Sequence, residues 1–148
     1  MAAWFLTGLL VFWGVGAVGG GFFLASAPDG SGMGFDPALL DGTPFPDFLV
    51  PGLILFGLGV AAVLTAVALV PAIRRQHLSK GVAWWVLLVA LGVNAWIFGE
   101  ILFLWAAVQE LPALDQRFFY TFWAVYVPLS LAIAAFAVRV TRDRLGRA

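Results

Sequence analysis

Four long apolar runs, each bounded by charged residues, constrain the fold of this chain more than any other feature. Residues 1–28, 48–73 and 118–138 carry no Asp, Glu, Lys or Arg, and residues 81–109 carry a single charge, at Glu100. A helix that crosses a membrane needs about 20 predominantly apolar residues, at a rise of about 1.5 Å each. Every run meets that length, so the sequence predicts four spanning helices.

The composition excludes most other classes of protein. Of the 148 residues, 63% are hydrophobic and 11% are charged, whereas a soluble domain has about 25% charged residues. Four spans leave no room for a second domain, so we expect one membrane domain over residues 1–148. The chain has no cysteine, which excludes disulfides, thiolate metal sites and thiol redox chemistry. His77 is the only histidine, and we expect it to be a solvated loop residue, with no metal or cofactor bound.

The predicted fold is an all-α, integral membrane, antiparallel four-helix bundle with an ordered first external loop. The hydropathy pattern places the helices at about residues 4–25, 48–73, 82–108 and 119–138, with the first loop at about residues 26–47.

Basic residues gather on one side of this predicted bundle. The loop 74–80 contains three bases and no acid, and the tail 139–148 contains four bases and one acid. The first loop contains no base and four aspartates, Asp29, Asp36, Asp41 and Asp47. Because Lys and Arg concentrate on the cytoplasmic side of a membrane, we expect both termini to be cytoplasmic.

The first loop combines turn residues with apolar side chains. Asp36 is placed to cap a helical turn, with Pro37 at its first position and Gly42 after its end. Asp47 is placed to cap the second helix. We therefore expect an ordered segment that docks on the bundle through its apolar side chains, which belong to Phe35, Leu39, Leu40, Phe45 and Phe48. The four aspartates could bind Ca²⁺, but they lack EF-hand spacing, so we expect them to be solvated.

Two stretches of sequence carry a resemblance to a known group of proteins. Residues 28–34 read Pro-Asp-Gly-Ser-Gly-Met-Gly, and residues 39–52 read Leu-Leu-Asp-Gly-Thr-Pro-Phe-Pro-Asp-Phe-Leu-Val-Pro-Gly. With the basic turn and the third helix around Trp96 and Glu100, the chain resembles a widespread group of small uncharacterised bacterial four-helix membrane proteins. The resemblance implies a bacterial cytoplasmic (inner) membrane, and it brings no activity and no catalytic residue.

Glu100 is the main candidate for a functional residue, because an ionisable side chain in hydrocarbon is costly and usually has a role. Trp96 lies near the same helix face, and Trp123 and Tyr126 lie at similar depth on the fourth helix. Burial favours the neutral acid over the carboxylate. We expect a protonated Glu100 facing the interior, hydrogen-bonded to Trp123, Tyr126 or the backbone of residues 19–21. Its role is a proton or cation site, a hydrogen bond that fixes helix packing, or that of a polar residue at the mouth of an outer vestibule.

Other polar and small residues in the spans have less specific patterns. Asn94 is a further candidate, but it lies about 120° from Glu100 around the helix, so a packing hydrogen bond is the more common role. Pro128 predicts a kink or a hinge, and Ser130 is placed to bond the backbone groups that Pro128 leaves free. Small residues spaced by four predict close helix packing or a dimer face; they are Gly16/Gly20, Gly57/Ala61/Thr65 and Ala95/Gly99.

Two functions remain open on the sequence. The first is a structural or accessory membrane protein whose loop, residues 27–48, faces a protein partner. The alternative is a small proton- or cation-coupled transporter or channel that uses Glu100. We expect no enzyme, since the spans contain no nucleophile–base pair or metal cluster. Membrane lipid, a partner protein or a second copy are the expected partners, and nucleic acid is not.

Reporter fusions test the predicted topology. Seven of the eight bases flank the proposed cytoplasmic ends of the helices, so a fluorescent protein fused to the C-terminus should be active. Alkaline phosphatase at the same position should be inactive, because it needs the periplasm. Phosphatase activity from that fusion would reverse the predicted topology.

Overall fold

The computed structural model describes residues 1–145 and has the predicted all-α, four-helix fold, with no strand in that range. All four helices are long and apolar enough to cross a membrane, as a multi-pass membrane protein requires. Arg147, one of the bases behind the predicted topology, lies outside the described residues. The helices are α1 (Ala2–Ser26), α2 (Leu49–Arg74), α3 (Lys80–Gln109) and α4 (Ala113–Leu145), and a 3₁₀ turn (Pro37–Leu40) lies in the first loop.

The helices present apolar side chains outward as well as inward. Phe12, Leu64, Leu91 and Leu102 are examples of large apolar side chains that are exposed on the surface of the bundle. A helix that is apolar on all sides belongs in apolar surroundings. A spanning helix also satisfies its own backbone hydrogen bonds, which lipid cannot do. The outer surface therefore suits contact with lipid.

Helix α4 differs most from its predicted range. The first three helices begin and end within two residues of the prediction, whereas α4 extends beyond residues 119–138 at both ends. The prediction used charges as boundaries, and charges limit the apolar span without ending a helix. Asp115 lies in the first turn of α4, where a negative charge is favourable. At the other end Arg139 and Asp143 form an exposed i,i+4 ion pair at 3.9 Å, which contributes little stability.

Glycine residues make the closest contact between two helices, that of α1 with α2. A Cβ atom added at Gly59 would lie 2.6 Å from the backbone nitrogen of Val18, and one at Gly52 would lie 2.5 Å from that of Ala25. Gly21 likewise faces the backbone of α2. These contacts join backbone to backbone, which only residues without a side chain allow. They hold α1 and α2 together as a tight pair.

At two positions the small-residue stripes do not give the close packing within the bundle that was one of their two predicted roles. No atom lies within 4 Å of a Cβ added at Gly57 or Gly99, so neither glycine packs closely against another helix. The glycines that do pack on α1 and α2 recur at intervals of seven, as Gly14 and Gly21 or Gly52 and Gly59. Thr65, from the same predicted stripes, is fully buried. Small residues spaced by four therefore include a buried residue, Thr65, but not the glycines that make the closest contacts between helices.

The core consists of two clusters, one toward each end of the bundle. The cluster near the basic loop draws on all four helices and includes Leu6, Leu10, Val86 and Ile133. The cluster near the first loop joins loop residues to the helix ends. Its buried members are Leu24, Leu39, Leu40, Phe48, Val108, Phe119 and Trp123.

Substitution of Gly21 tests the α1–α2 contact. In Gly21→Ala the new methyl group would meet the backbone of Phe56, and such overpacking costs about 1–3 kcal/mol. The matched control is Gly57→Ala, where the space is open and alanine is favoured over glycine in a helix by up to about 1 kcal/mol. Thermal unfolding in detergent, followed by circular dichroism, should show a lower midpoint for Gly21→Ala alone. Equal midpoints would contradict the described contact.

Candidate functional site

A cavity of about 760 Å³, partly open to the surface of the bundle, lies among the four helices at the first-loop end. All four helices and the first loop contribute to its wall, and nearly all of the lining side chains are apolar or aromatic. Ligand sites in proteins have volumes of about 300–1,000 Å³ and are mostly apolar, with a few polar groups. The size and chemistry of this cavity therefore match those of a small-molecule site.

Small residues create much of this space. Gly16, Gly19 and Gly20 line the cavity from α1, and Gly92 and Gly99 line it from α3. At Gly19 and Gly99 no atom lies within 4 Å of an added Cβ. Small residues in spanning helices often bring two helices together, but here their missing side chains leave open volume.

Among the described residues, Glu100 is the only carboxylic acid that lines this cavity. Its side chain is half-buried, and the indoles of Trp96 and Trp123 lie beside its carboxyl group. The contact with Trp123 does not reach the geometry of a formed hydrogen bond, and Trp123 Nε1 is buried with no other partner in the described chain. Glu100 thus faces the interior with two potential donors on the protein side. Its protonation state stays a prediction.

The other predicted partners of Glu100 occupy different positions. Tyr126 lines the cavity and stacks on Phe122, with ring centroids 4.2 Å apart. Its hydroxyl lies 3.4 Å from a Cβ built at Gly16, so it is directed toward α1. Trp123 is buried and stacks on Trp105, with centroids 5.9 Å apart. Aromatic packing therefore fixes both rings, of which Trp123 lies beside the acid and Tyr126 is directed toward α1.

Asn94 does not belong to this site. Its Nδ2 donates to the Ala90 carbonyl at 2.9 Å and to the Ser130 carbonyl at 3.0 Å. These bonds connect α3 to α4, which is the packing role, and Asn94 does not line the cavity. Ser130 Oγ donates to the Val127 carbonyl, so it does not reach the carbonyl four residues before Pro128, contrary to the expectation.

The first loop closes one end of the cavity. Leu39, Leu40 and Phe48 are buried, and Phe35 packs against Phe48 and Phe119, with ring centroids 5.9 and 5.7 Å away. The loop is docked, as predicted, and its apolar side chains form part of the cavity wall.

Two loop aspartates accept hydrogen bonds from amides at the starts of helical segments. Asp36 Oδ1 accepts from the Ala38 amide at 2.9 Å and caps the 3₁₀ turn, as predicted. Asp47 Oδ1 accepts from the Leu49 amide at 2.9 Å. The N-cap residue of α2 is Phe48, however, so Asp47 lies one residue outside the predicted cap position.

Of the other two aspartates, Asp29 accepts hydrogen bonds from a neighbouring residue and Asp41 is exposed. Asp29 Oδ1 accepts from the Ser31 hydroxyl at 2.6 Å and from the Ser31 amide at 3.1 Å. These hydrogen bonds, that of the hydroxyl most of all, lower the pKa of Asp29. Asp41 is exposed and follows the 3₁₀ turn. Within residues 1–145, no group of three or more His, Cys, Asp or Glu residues is placed to hold a metal ion.

Sequence reasoning found Glu100 but missed the cavity around it. The aromatic wall includes Phe103, Phe119 and Phe122, which in sequence look like ordinary lipid-facing or packing residues. The only available signal was the glycines of α1 and α3, which we interpreted as packing stripes. No family model, curated protein or solved structure matches the chain. Known proteins therefore give no further indication of the site.

Hydrogen exchange tests the docking of the first loop. The amides of Phe35, Leu39, Thr43 and Phe48 all donate to backbone carbonyls, so they should exchange slowly in the purified protein. Asp36→Ala removes the cap of the 3₁₀ turn, which should cost about 0.5–2 kcal/mol locally and speed exchange there. Exchange of residues 35–48 at the rate of a free peptide would contradict the docked loop.

Proposed function

We propose that this chain is an intramembrane ligand-binding protein, which holds an apolar small molecule in the cavity with Glu100 as its polar anchor. One observation carries the proposal: a cavity of about 760 Å³ with an almost wholly apolar wall and a single carboxylic acid. A transporter that uses Glu100, the alternative left open by the sequence, would also need such a binding site. Whether the molecule is also carried across the membrane is a further step of the same proposal.

The character of the wall supports an apolar occupant. Protein interiors are close-packed, and an apolar cavity of this kind does not hold water well, because each water needs two or more polar partners. Trp96, Tyr126 and Thr43 are among the few polar groups beside Glu100 on the wall. An apolar molecule drawn from the bilayer would fill the space, and the acid would fix its orientation.

The docked first loop supports this function more directly than it supports a partner-facing role. Its aromatic side chains, such as Phe35 and Phe45, line the cavity, so the loop covers a bound molecule at that end. The accessory role, with the loop facing a protein partner, stays a prediction.

We also propose a bacterial inner membrane as the location, with both termini cytoplasmic. The resemblance of the first loop to bacterial membrane proteins supports the location. The basic loop 74–80 and the bases after residue 138 support the cytoplasmic position of the termini.

A neutral dye can test whether the cavity binds apolar molecules. N-phenyl-1-naphthylamine fluoresces more strongly in apolar surroundings and can be titrated into protein reconstituted in lipid nanodiscs. Gly99→Leu places a large side chain in open cavity space, so it should lower the dye affinity about ten-fold. The control is Gly57→Leu, the same change at an equally open glycine that does not line the cavity.

Only the cavity variant should change the binding of the dye. The proposed function would be contradicted if the wild type, Gly99→Leu and Gly57→Leu all bound the dye equally, and no more strongly than empty nanodiscs do.

A further inference from the structure

We propose that the preferred occupant of the cavity is an amphiphilic organic cation, with its positive group beside Glu100 and its apolar body against the aromatic wall. This inference rests on the proposed function, because it names the ligand class of the same cavity. It does not follow from the cavity alone, since an apolar wall would also suit a neutral molecule.

The distribution of charge favours a cation over an anion. Among the residues that the structure describes, Glu100 is the only acid on the wall, no Lys, Arg or His lines it, and Tyr126 is the only other titratable residue there. An anionic ligand would meet a like charge in a low-dielectric site with no base to offset it. A cation would form an ion pair with Glu100, and leaving a charge buried without its partner is strongly unfavourable.

The two indoles beside Glu100 suit an ionised carboxylate. The indoles of Trp96 and Trp123 lie beside the carboxyl group, and an N–H donor bonds more favourably to a carboxylate than to a neutral acid. Trp123 Nε1 is a buried donor without a formed hydrogen bond. An ionised Glu100 would satisfy this donor on the protein side and face the cation on the cavity side.

The wall also selects an organic cation over a metal ion. A hard cation such as Ca²⁺ needs about six to eight oxygen ligands, and among the lining side chains only Glu100, Thr43 and Tyr126 carry oxygen. Aromatic rings, by contrast, attract organic cations through their faces. Trp96 and Phe103 lie on the same helix as Glu100 and line the cavity with it, and the open space at Gly99 leaves room beside the acid.

A proton and the cation would compete for the same carboxyl group. Protonation of Glu100 removes the charge that pairs with the ligand, so affinity should fall as the pH is lowered.

Three probes of similar shape and different charge test the inference. Tetraphenylphosphonium is a cation, tetraphenylborate is an anion, and triphenylphosphine oxide is neutral. Each is titrated into protein in phosphatidylcholine nanodiscs, with empty nanodiscs as background, and binding is followed by tryptophan fluorescence. The variants are Glu100→Gln and the matched control Glu110→Gln, which makes the same change at an exposed acid outside the cavity.

We expect the wild type and Glu110→Gln to prefer the phosphonium over the neutral probe by about ten-fold or more, as one ion pair and its aromatic contacts allow. Glu100→Gln should lose this preference, so that it binds the phosphonium no more tightly than the neutral probe. In case Glu100→Gln does not fold, the wild type alone gives a second measurement. Its phosphonium affinity should fall as the pH is lowered and Glu100 takes up a proton, while its affinity for the neutral probe stays constant.

Two outcomes would overturn the inference, and they differ in what they imply. If the neutral probe binds as well as the phosphonium at every pH, and Gly99→Leu weakens both, the cavity binds apolar molecules and only the cation preference is wrong. If no probe binds above the background of empty nanodiscs, the proposed function fails together with the inference.

Discussion

A carboxylic acid within an apolar span has to be directed away from lipid, and much of this structure is arranged around that requirement. Glu100 lies on α3 among residues that would otherwise suit hydrocarbon. The side chain faces a cavity inside the bundle, with the indoles of Trp96 and Trp123 beside it. Lipid offers no hydrogen-bond partner and little solvation to such a group, so its surroundings have to come from the protein or from a bound molecule.

Two uses of glycine explain how the bundle makes room next to this acid. On one face of α1, Gly21 meets the backbone of α2, and the two helices form a tight pair. On another face, Gly19 meets open space, as Gly99 does on α3. The same residue type therefore holds the bundle together on one side and opens it on the other. The first loop then closes the open side at one end.

Local signals made most of the fold predictable. The apolar runs gave the ranges of α1, α2 and α3 to within two residues, because lipid-facing helices need continuous apolar sequence. Asp36 and Pro37 predicted a capped turn, because the cap depends only on neighbouring atoms. The ends of α4 were missed, since Asp115 and Arg139 are compatible with a helix that leaves the membrane.

The long-range arrangement was not predictable from one sequence. Gly21 and Gly20 are neighbours of the same type, yet a Cβ would be blocked at the first and accommodated at the second. Only the position of α2 and α3 around α1 decides between these outcomes. The same holds for Glu100: its depth follows from counting residues, whereas the cavity that it faces follows from the packing of four helices and a loop.

Chemical modification of Glu100 tests the central claim, that this acid faces an interior cavity open to apolar molecules, most directly. Dicyclohexylcarbodiimide is an apolar reagent that reacts with carboxylic acids within membranes, and peptide mass spectrometry locates its adduct. The account predicts modification at Glu100 in the reconstituted wild type, and much slower modification when Gly99→Leu fills the cavity. It also predicts that Gly57→Leu reacts like the wild type. An unmodified Glu100, or one that reacts equally fast in all three proteins, would contradict the account.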